Sequence, residues 1–366
     1  MNVVFRADAS LLMGTGHVMR CLTLADALTA AGASCEFVCR THPGNLLGLI
    51  RSKGYIVHEL AIAGSGCTTQ GGEQSAAHAH WLGVSQSDDA ANCALILAQL
   101  QPDWLIVDHY GLDARWEQAL KPHYRKLMVI DDLADRPHAC DLLLDQTFGR
   151  QSEDYRARVP DNCQLLCGSQ YALLRPDFAV QRLYSLQRRA KPQLRQLLIS
   201  MGGVDKDNAT GRVLDALRGC PLPADCRIIV VMGSTAPWLD EVKQRALSIP
   251  WPTQVLVGVS DMARLMADSD LAIGAAGATS WERCCLGLPT IMLVLADNQR
   301  QVAQGLEQGQ AARIIEKLQD IGSRLPKLLR CLIEHPASLK LMSQSAMRIV
   351  DGRGVNTVVH LMRSLP

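Results

Sequence analysis

NVVFRADASLLMGTGHVMRCLTLADALTAAG, residues 2–32, decides the fold. Residues 3–5 are a short apolar run, and Gly14 and Gly16 mark a turn. Residues 17–31 then place Val18, Cys21, Leu22, Ala25 and Leu28 on one helical face, and Gly32 stands where a C-terminal glycine stops a helix. Strand, glycine turn and amphipathic helix make one βα unit. The same alternation continues along the chain. Strands are expected at 35–39, 104–107, 127–130, 142–144, 197–201, 227–232, 254–257, 271–274 and 290–295. These runs are mostly apolar rather than alternating, as strands buried on both faces of parallel sheets are. Repeated βα units imply a doubly wound α/β class.

Residues 184–196, YSLQRRAKPQLRQ, are basic, contain Pro192 and lack a strand pattern. They divide the chain into a domain over 1–184, a linker over 185–196 and a domain over 197–366. Each half starts with a strand and a glycine turn, Gly14 and Gly16 in one, Gly202 and Gly203 in the other. Two Rossmann-like domains with parallel sheets, facing across a cleft, are therefore expected, with ligands outside the carboxyl ends of the strands. Residues 61–83 are rich in Gly, Ser and Thr and read as an excursion, and 339–361 reads as one closing helix.

The 366 residues fit two domains. Lys plus Arg is 37 against 36 Asp plus Glu, so nothing in the net charge favours nucleic acid or an anionic membrane. Aromatic residues, at 4%, are too scarce for a base-stacking surface. There is no run of 18 apolar residues and no signal-peptide pattern. The 13 Cys sit mostly in apolar runs without a CxxC pair. A cytoplasmic chain with reduced thiols is expected. The Cys35/Cys39 and Cys163/Cys167 pairs lack a second cluster to complete a metal site, and His78 and His80 read more simply as a solvated loop.

Gly14-Thr15-Gly16-His17-Val18-Met19-Arg20 opens the first helix. Glycines there let another molecule approach the backbone. A histidine at the positive end of a helix suits a neutral general base. Gly14, Gly16 and Arg20 are read as substrate-binding. Asp108-His109-Tyr110-Gly111 and Asp131-Asp132 follow strands, where site residues gather and turn-forming Asp is also common. The Asp pair leaves an Mg²⁺ site open as the less favoured reading.

Gly277-Ala278-Thr279-Ser280 lies between a strand and a helix and offers N–H groups to a diphosphate. Thr279 to Glu282 also spells a capping box, so Glu282 either caps the helix or binds ribose hydroxyls. Asn298 and Gln299 follow a strand and offer amides to sugar or phosphate.

Taken together, FRADASLLMGTGHVMR, LIVDHYGLD, MVIDDLADRPH, CGSQYALLRPDF, ISMGGVDKDN and GAAGATSWE…CLGLPTIMLVLADNQ resemble the UDP-2,4-diacetamido-2,4,6-trideoxy-β-L-altropyranose hydrolases. These act in pseudaminic acid biosynthesis, which feeds flagellin glycosylation. The likeness runs to about residue 315. The second half also resembles the lipid II N-acetylglucosaminyltransferase, a relative of the same GT-B fold. The resemblance implies a UDP-sugar substrate, water attack at C1 with inversion, no cofactor and no metal. It implies His17 as base, Tyr110 and Asn298 near sugar and phosphates, Glu282 on ribose, and, by position alone, residues 258–260 near uracil. The excursion at 61–83 and the tail after 315 match shorter family members poorly. A GT-B glycosyltransferase using a UDP-sugar donor is the alternative.

Overall fold

The computed structural model describes residues 1–62 and 77–365. The chain forms two units, Met1–Leu173 with Gly354–Pro366, and Leu174–Arg353. The first unit holds seven strands: β1 (Asn2–Ala7), β2 (Ser34–Arg40), β3 (Ile56–Leu60), β4 (Trp104–Asp108), β5 (Lys126–Ile130), β6 (Leu142–Asp145) and β7 (Gln164–Cys167). They pair in the order β3-β2-β1-β4-β5-β6-β7, every pair parallel. The second unit holds β8 (Gln196–Ser200), β9 (Arg227–Met232), β10 (Thr253–Val257), β11 (Leu271–Ala275), β12 (Thr290–Leu293) and β13 (Ala312–Ile315). Their order is β10-β9-β8-β11-β12-β13, again all parallel. The α/β class with two parallel sheets stands.

Each sheet has one switch point, β1 beside β4 and β8 beside β11. Helices on opposite faces diverge there and leave a crevice at the carboxyl ends. The β1–β4 register sets Ala7 opposite Asp108, and the β8–β11 register sets Ser200 opposite Gly274. In β1, Val3, Phe5 and Ala7 join one core while Val4 joins the other, because successive side chains take opposite faces. Arg6 is fully buried, held by Asp8 and Asp89.

Three strands, β3, β7 and β13, escaped the sequence reading. All three lie at sheet edges, where one side is uncovered and a continuous apolar run is not required.

The expected linker requires correction. Residues 185–189 continue the helix Pro176–Arg189. Its polar side chains bind carbonyls of the second unit: Arg182 donates to Val350 and Met347, Ser185 to Leu286 and Arg189 to Ser269. Within the expected linker Arg188 pairs with Asp270 and Arg195 with Asp225, while Arg189 donates to backbone carbonyls. The expected closing helix at 339–361 is two helices, Ala337–Ala346 and Gly354–Ser364, parted by Gly352 at φ 86°. The second of them belongs to the first unit, where Val355, Val358, Val359 and Met362 are core. A Cβ on Gly354 would lie 2.5 Å from the Ala172 carbonyl oxygen, so glycine permits this close return.

Of the excursion expected at 61–83, residues 63–76 lie outside the described residues. No helix among the described residues is long and apolar enough to cross a membrane.

Candidate active site

In the first unit the helix Gly16–Ala30 starts just after a compact turn in which the Ser10 hydroxyl accepts from the Leu12 and Met13 amides. Gly14 has φ 77°, and no atom stands within 4 Å of where a Cβ on Gly14 or Gly16 would be. The backbone there is open to an approaching molecule. His17 follows, with Nδ1 2.6 Å from Asp108 Oδ1. An ionised carboxylate only accepts, so Nδ1 is the donor in this contact. His42, His109 and His138 each bury an Nε2 without a hydrogen bond among the described residues, those of His42 and His109 lying 3.7 and 3.5 Å from Asp8 Oδ2. Among the described residues His17 Nε2 has no hydrogen-bond partner, and the side chain is buried to 7% exposure.

Asp108 is fully buried and accepts from Arg20 Nε at 2.6 Å and Arg20 Nη2 at 2.8 Å. Burial pushes its carboxyl upward, but the Arg20 guanidinium and His17 outweigh that and hold it well below the usual carboxylate range. Arg20 Nη1 reaches Asp132 Oδ2 at 2.5 Å, and the Tyr110 hydroxyl donates to the same oxygen at 2.8 Å. Burial, then Asp132, raises the Tyr110 phenol above its ordinary value, so it stays a donor.

Arg20 is expected from the sequence as a substrate ligand. Its guanidinium is buried between two carboxylates and serves as the brace that orients them. The expected carboxylate pair also separates. Asp131 faces Arg136 and accepts from Tyr155, whereas Asp132 faces Arg20 and Tyr110. Among the described residues no three His, Cys, Asp or Glu side chains are grouped to hold a metal ion.

His109, next to Asp108 in sequence, is held neutral by burial, which pulls its pKa down to about 3. Of the suspected cysteine pairs, Cys163 lies against Cys140, with sulfurs 3.6 Å apart.

In the second unit, Gly202 has φ 91°, and a Cβ on Gly233 would collide with the Gly203 carbonyl oxygen. The loops after β8 and β9 therefore meet backbone to backbone. After β11 the helix Thr279–Cys285 begins, with Ala278 as its N-cap and no side-chain cap. The capping-box reading of Thr279 and Glu282 thus fails. Ser280 N–H is used by the Gly277 carbonyl at 2.9 Å, whereas those of Gly277, Ala278 and Thr279 have no partner among the described residues. Only part of the expected cradle is therefore unengaged.

Glu282 is partly buried and accepts no hydrogen bond among the described residues. Burial raises its carboxyl to about 7, against the opposing pull of Arg175 and Arg283. Arg283 is buried, donates to Ala275 O at 2.6 Å and Ser280 Oγ at 3.2 Å, and so ties the turn together. Gln299 Oε1 accepts from Leu295 N–H at 3.0 Å, and its Nε2 stands 3.9 Å from the Cβ position of Gly277. Asn298 is exposed beside it.

Residues 212–353 match the family model of the glycosyltransferase family 28 C-terminal domain. Over 307 residues the chain is 25% identical to the UDP-2,4-diacetamido-2,4,6-trideoxy-beta-L-altropyranose hydrolase of Campylobacter jejuni, covering 84% of this chain and 96% of that one. The crystal structure of Acinetobacter baumannii MurG superposes with a TM-score of 0.68 at 15% identity, over 100% of this chain and 99% of that one. The fold is GT-B. The UDP-GlcNAc 2-epimerase of Neisseria meningitidis, solved bound to UDP-GlcNAc, matches it with a TM-score of 0.61 at 12% identity, covering all of both chains. The GT-B chain is similar to the Campylobacter hydrolase over most of its length, as the motifs implied.

Sequence reasoning missed Asp108 and Asp132 as positioning groups and Trp81 as a neighbour of His17. Trp81 stacks on Tyr110 with centroids 5.7 Å apart. Asp108 was signalled by an acid ending a strand. Trp81 carried no signal, because only the fold brings that turn to the crevice.

Proposed function

We propose that the protein is a UDP-sugar hydrolase that cleaves the C1–O bond of UDP-2,4-diacetamido-2,4,6-trideoxy-β-L-altropyranose, or a close relative, with inversion, in pseudaminic acid biosynthesis. The observation that carries this reading is His17: Nδ1 lies 2.6 Å from the buried Asp108 carboxylate, and Nε2 has no hydrogen-bond partner among the described residues. Nε2 takes a proton from water as the water oxygen bonds to C1. The electron pair of the C1–O bond leaves with the β-phosphate oxygen of UDP. Single displacement on the face opposite the leaving group gives inversion. A base so placed contributes about 10²–10⁴-fold in rate.

The second unit is read as the nucleotide site. The free amides of Gly277, Ala278 and Thr279 meet the diphosphate, with Gly202, Gly203, Ser280, Asn298 and Gln299 around it, and the Glu282 carboxylate accepts from ribose hydroxyls. No metal is needed in this scheme, since amides receive the developing charge. Asp131 and Asp132 are each neutralised by an arginine.

The family 28 match favours a second reading, transfer of the sugar to an acceptor alcohol. Incubating UDP-sugar in ¹⁸O-water without acceptor separates the two. Hydrolysis yields labelled free sugar and unlabelled UDP. Label in UDP, or no release without acceptor, overturns it. His17→Ala is expected to lose most turnover while retaining UDP affinity, and near wild-type turnover would remove His17 from its role.

A further inference from the structure

Aromatic residues are scarce in this chain, yet several rings converge beside His17. Trp81 lies on the short turn Ala79–Leu82, fixed by Leu82, which is buried in the core, and by Gly83 at φ 74°. A Cβ on Gly83 would come within 2.9 Å of His42 Cε1, so the turn is seated closely on the unit beneath it. The Trp81 indole stacks on Tyr110 at 26° and stands edge-on to His17 with centroids 6.4 Å apart. His78 packs 4.5 Å from Trp81 and 5.6 Å from Tyr110. Tyr110 is itself locked edge-on to His17 at 4.6 Å by its bond to Asp132. Trp81 remains partly exposed, and its indole N–H has no hydrogen-bond partner among the described residues.

A rigid, partly exposed ring held next to a base matches an apolar group that must sit still during reaction. The C–H face of a sugar and the methyl of an acetamido or 6-deoxy group are such groups.

We propose that Trp81, braced by Tyr110 and His78, is a specificity-determining shelf for the glycosyl group of the substrate. It takes the methyl-bearing face of an N-acylated deoxy sugar and leaves the nucleotide to other residues. The proposal rests on the hydrolase reading for the identity of the sugar. It does not need that reading for its test.

The test compares His17→Ala with His17→Ala/Trp81→Ala and His17→Ala/Trp81→Phe by titration calorimetry. The ligands are UDP, UDP-glucose and the UDP-linked 2,4-diacetamido-2,4,6-trideoxy sugar. The shelf predicts that Trp81→Ala weakens the diacetamido ligand about tenfold, UDP-glucose less, and UDP not at all, with Trp81→Phe recovering most of the loss. Equal affinity for the diacetamido ligand with and without the indole overturns the shelf. So does a parallel fall for all three ligands, which marks a structural role. Turnover of the wild-type protein on the diacetamido ligand is assayed alongside. Its absence sinks the hydrolase reading while the binding comparison still decides the shelf.

Discussion

Asp108 is a carboxylate buried completely and committed to His17 Nδ1, twice to Arg20 and to the Cys21 thiol. Asn at 108 keeps the shape but offers one acceptor and one amide donor, so the imidazole loses the partner that fixes its tautomer. Asp108→Asn is expected to lower kcat about 10²–10⁴-fold with KM little changed, read by UDP release. Asp108→Ala strands Arg20 and should also cost about 3–5 kcal/mol in urea unfolding. Wild-type kcat in the Asn variant removes Asp108 from the mechanism. Glu282 makes a separate pH prediction. Its carboxyl rises from an ordinary 4.5 to about 7 on folding, so the native state binds that proton more tightly. That contribution is complete below about 4.5 and is lost as pH rises through about 7. Glu282→Gln should therefore gain on wild type by on the order of 1–3 kcal/mol between pH 5 and 8. A pH-independent difference would show that the carboxyl is not perturbed. At this scale the sequence exposed residue types and strand-end positions, which is how His17 became a candidate. It did not expose pairing, such as the two carboxylates that enclose Arg20.

The turn after β11 depends on how closely two strands and an arginine approach. A Cβ on Gly274 would collide with Arg283 Nη1 and lie 2.8 Å from the Ser200 carbonyl oxygen. Moving Arg283 releases its hold on Ala275 and Ser280, and with it the turn that presents the free amides. Gly274→Ala is expected to cost about 1–3 kcal/mol of stability and to weaken UDP binding in calorimetry. Unchanged UDP affinity would show that the arginine does not set the turn. Elements buried on both sides were legible because burial demands an apolar run, as in β4, β5 and β11. Edge strands such as β3, with the sequence IVHEL, obey a weaker demand and merge with loop composition. The stretch at 185–189 misled for the opposite reason. Its arginines carry no local pairing signal, because Arg188 meets the Asp270 carboxylate and Arg189 the Ser269 carbonyl, both about 80 residues away in sequence.

The molecule is built so that its last helix completes its first unit, although the intervening unit separates them in sequence. Sequence order argued for two consecutive domains, and no local pattern marks a return. Only the apolar face of residues 354–364 hints that it must be covered, without saying by what. The energetics make the return decisive. Val355, Val358, Val359 and Met362 are all core residues, and the backbone carbonyl of Leu365 accepts from Lys126. Burying four such side chains is worth roughly 6–12 kcal/mol. That is comparable to the whole stability of an ordinary domain, about 5–15 kcal/mol. A chain ending at Arg353 is thus expected to leave β1–β7 unfolded or molten while β8–β13 keep their own core, which draws on none of these residues. Hydrogen exchange should show protection lost over residues 1–173 and retained over 174–353. Hydrolysis should vanish with His17 misplaced, and UDP should still bind if the second unit is the nucleotide site. Protection retained in the first unit would mean that the helix is an accessory. Loss of UDP binding alongside retained protection of β8–β13 would instead show that the nucleotide needs groups from the first unit.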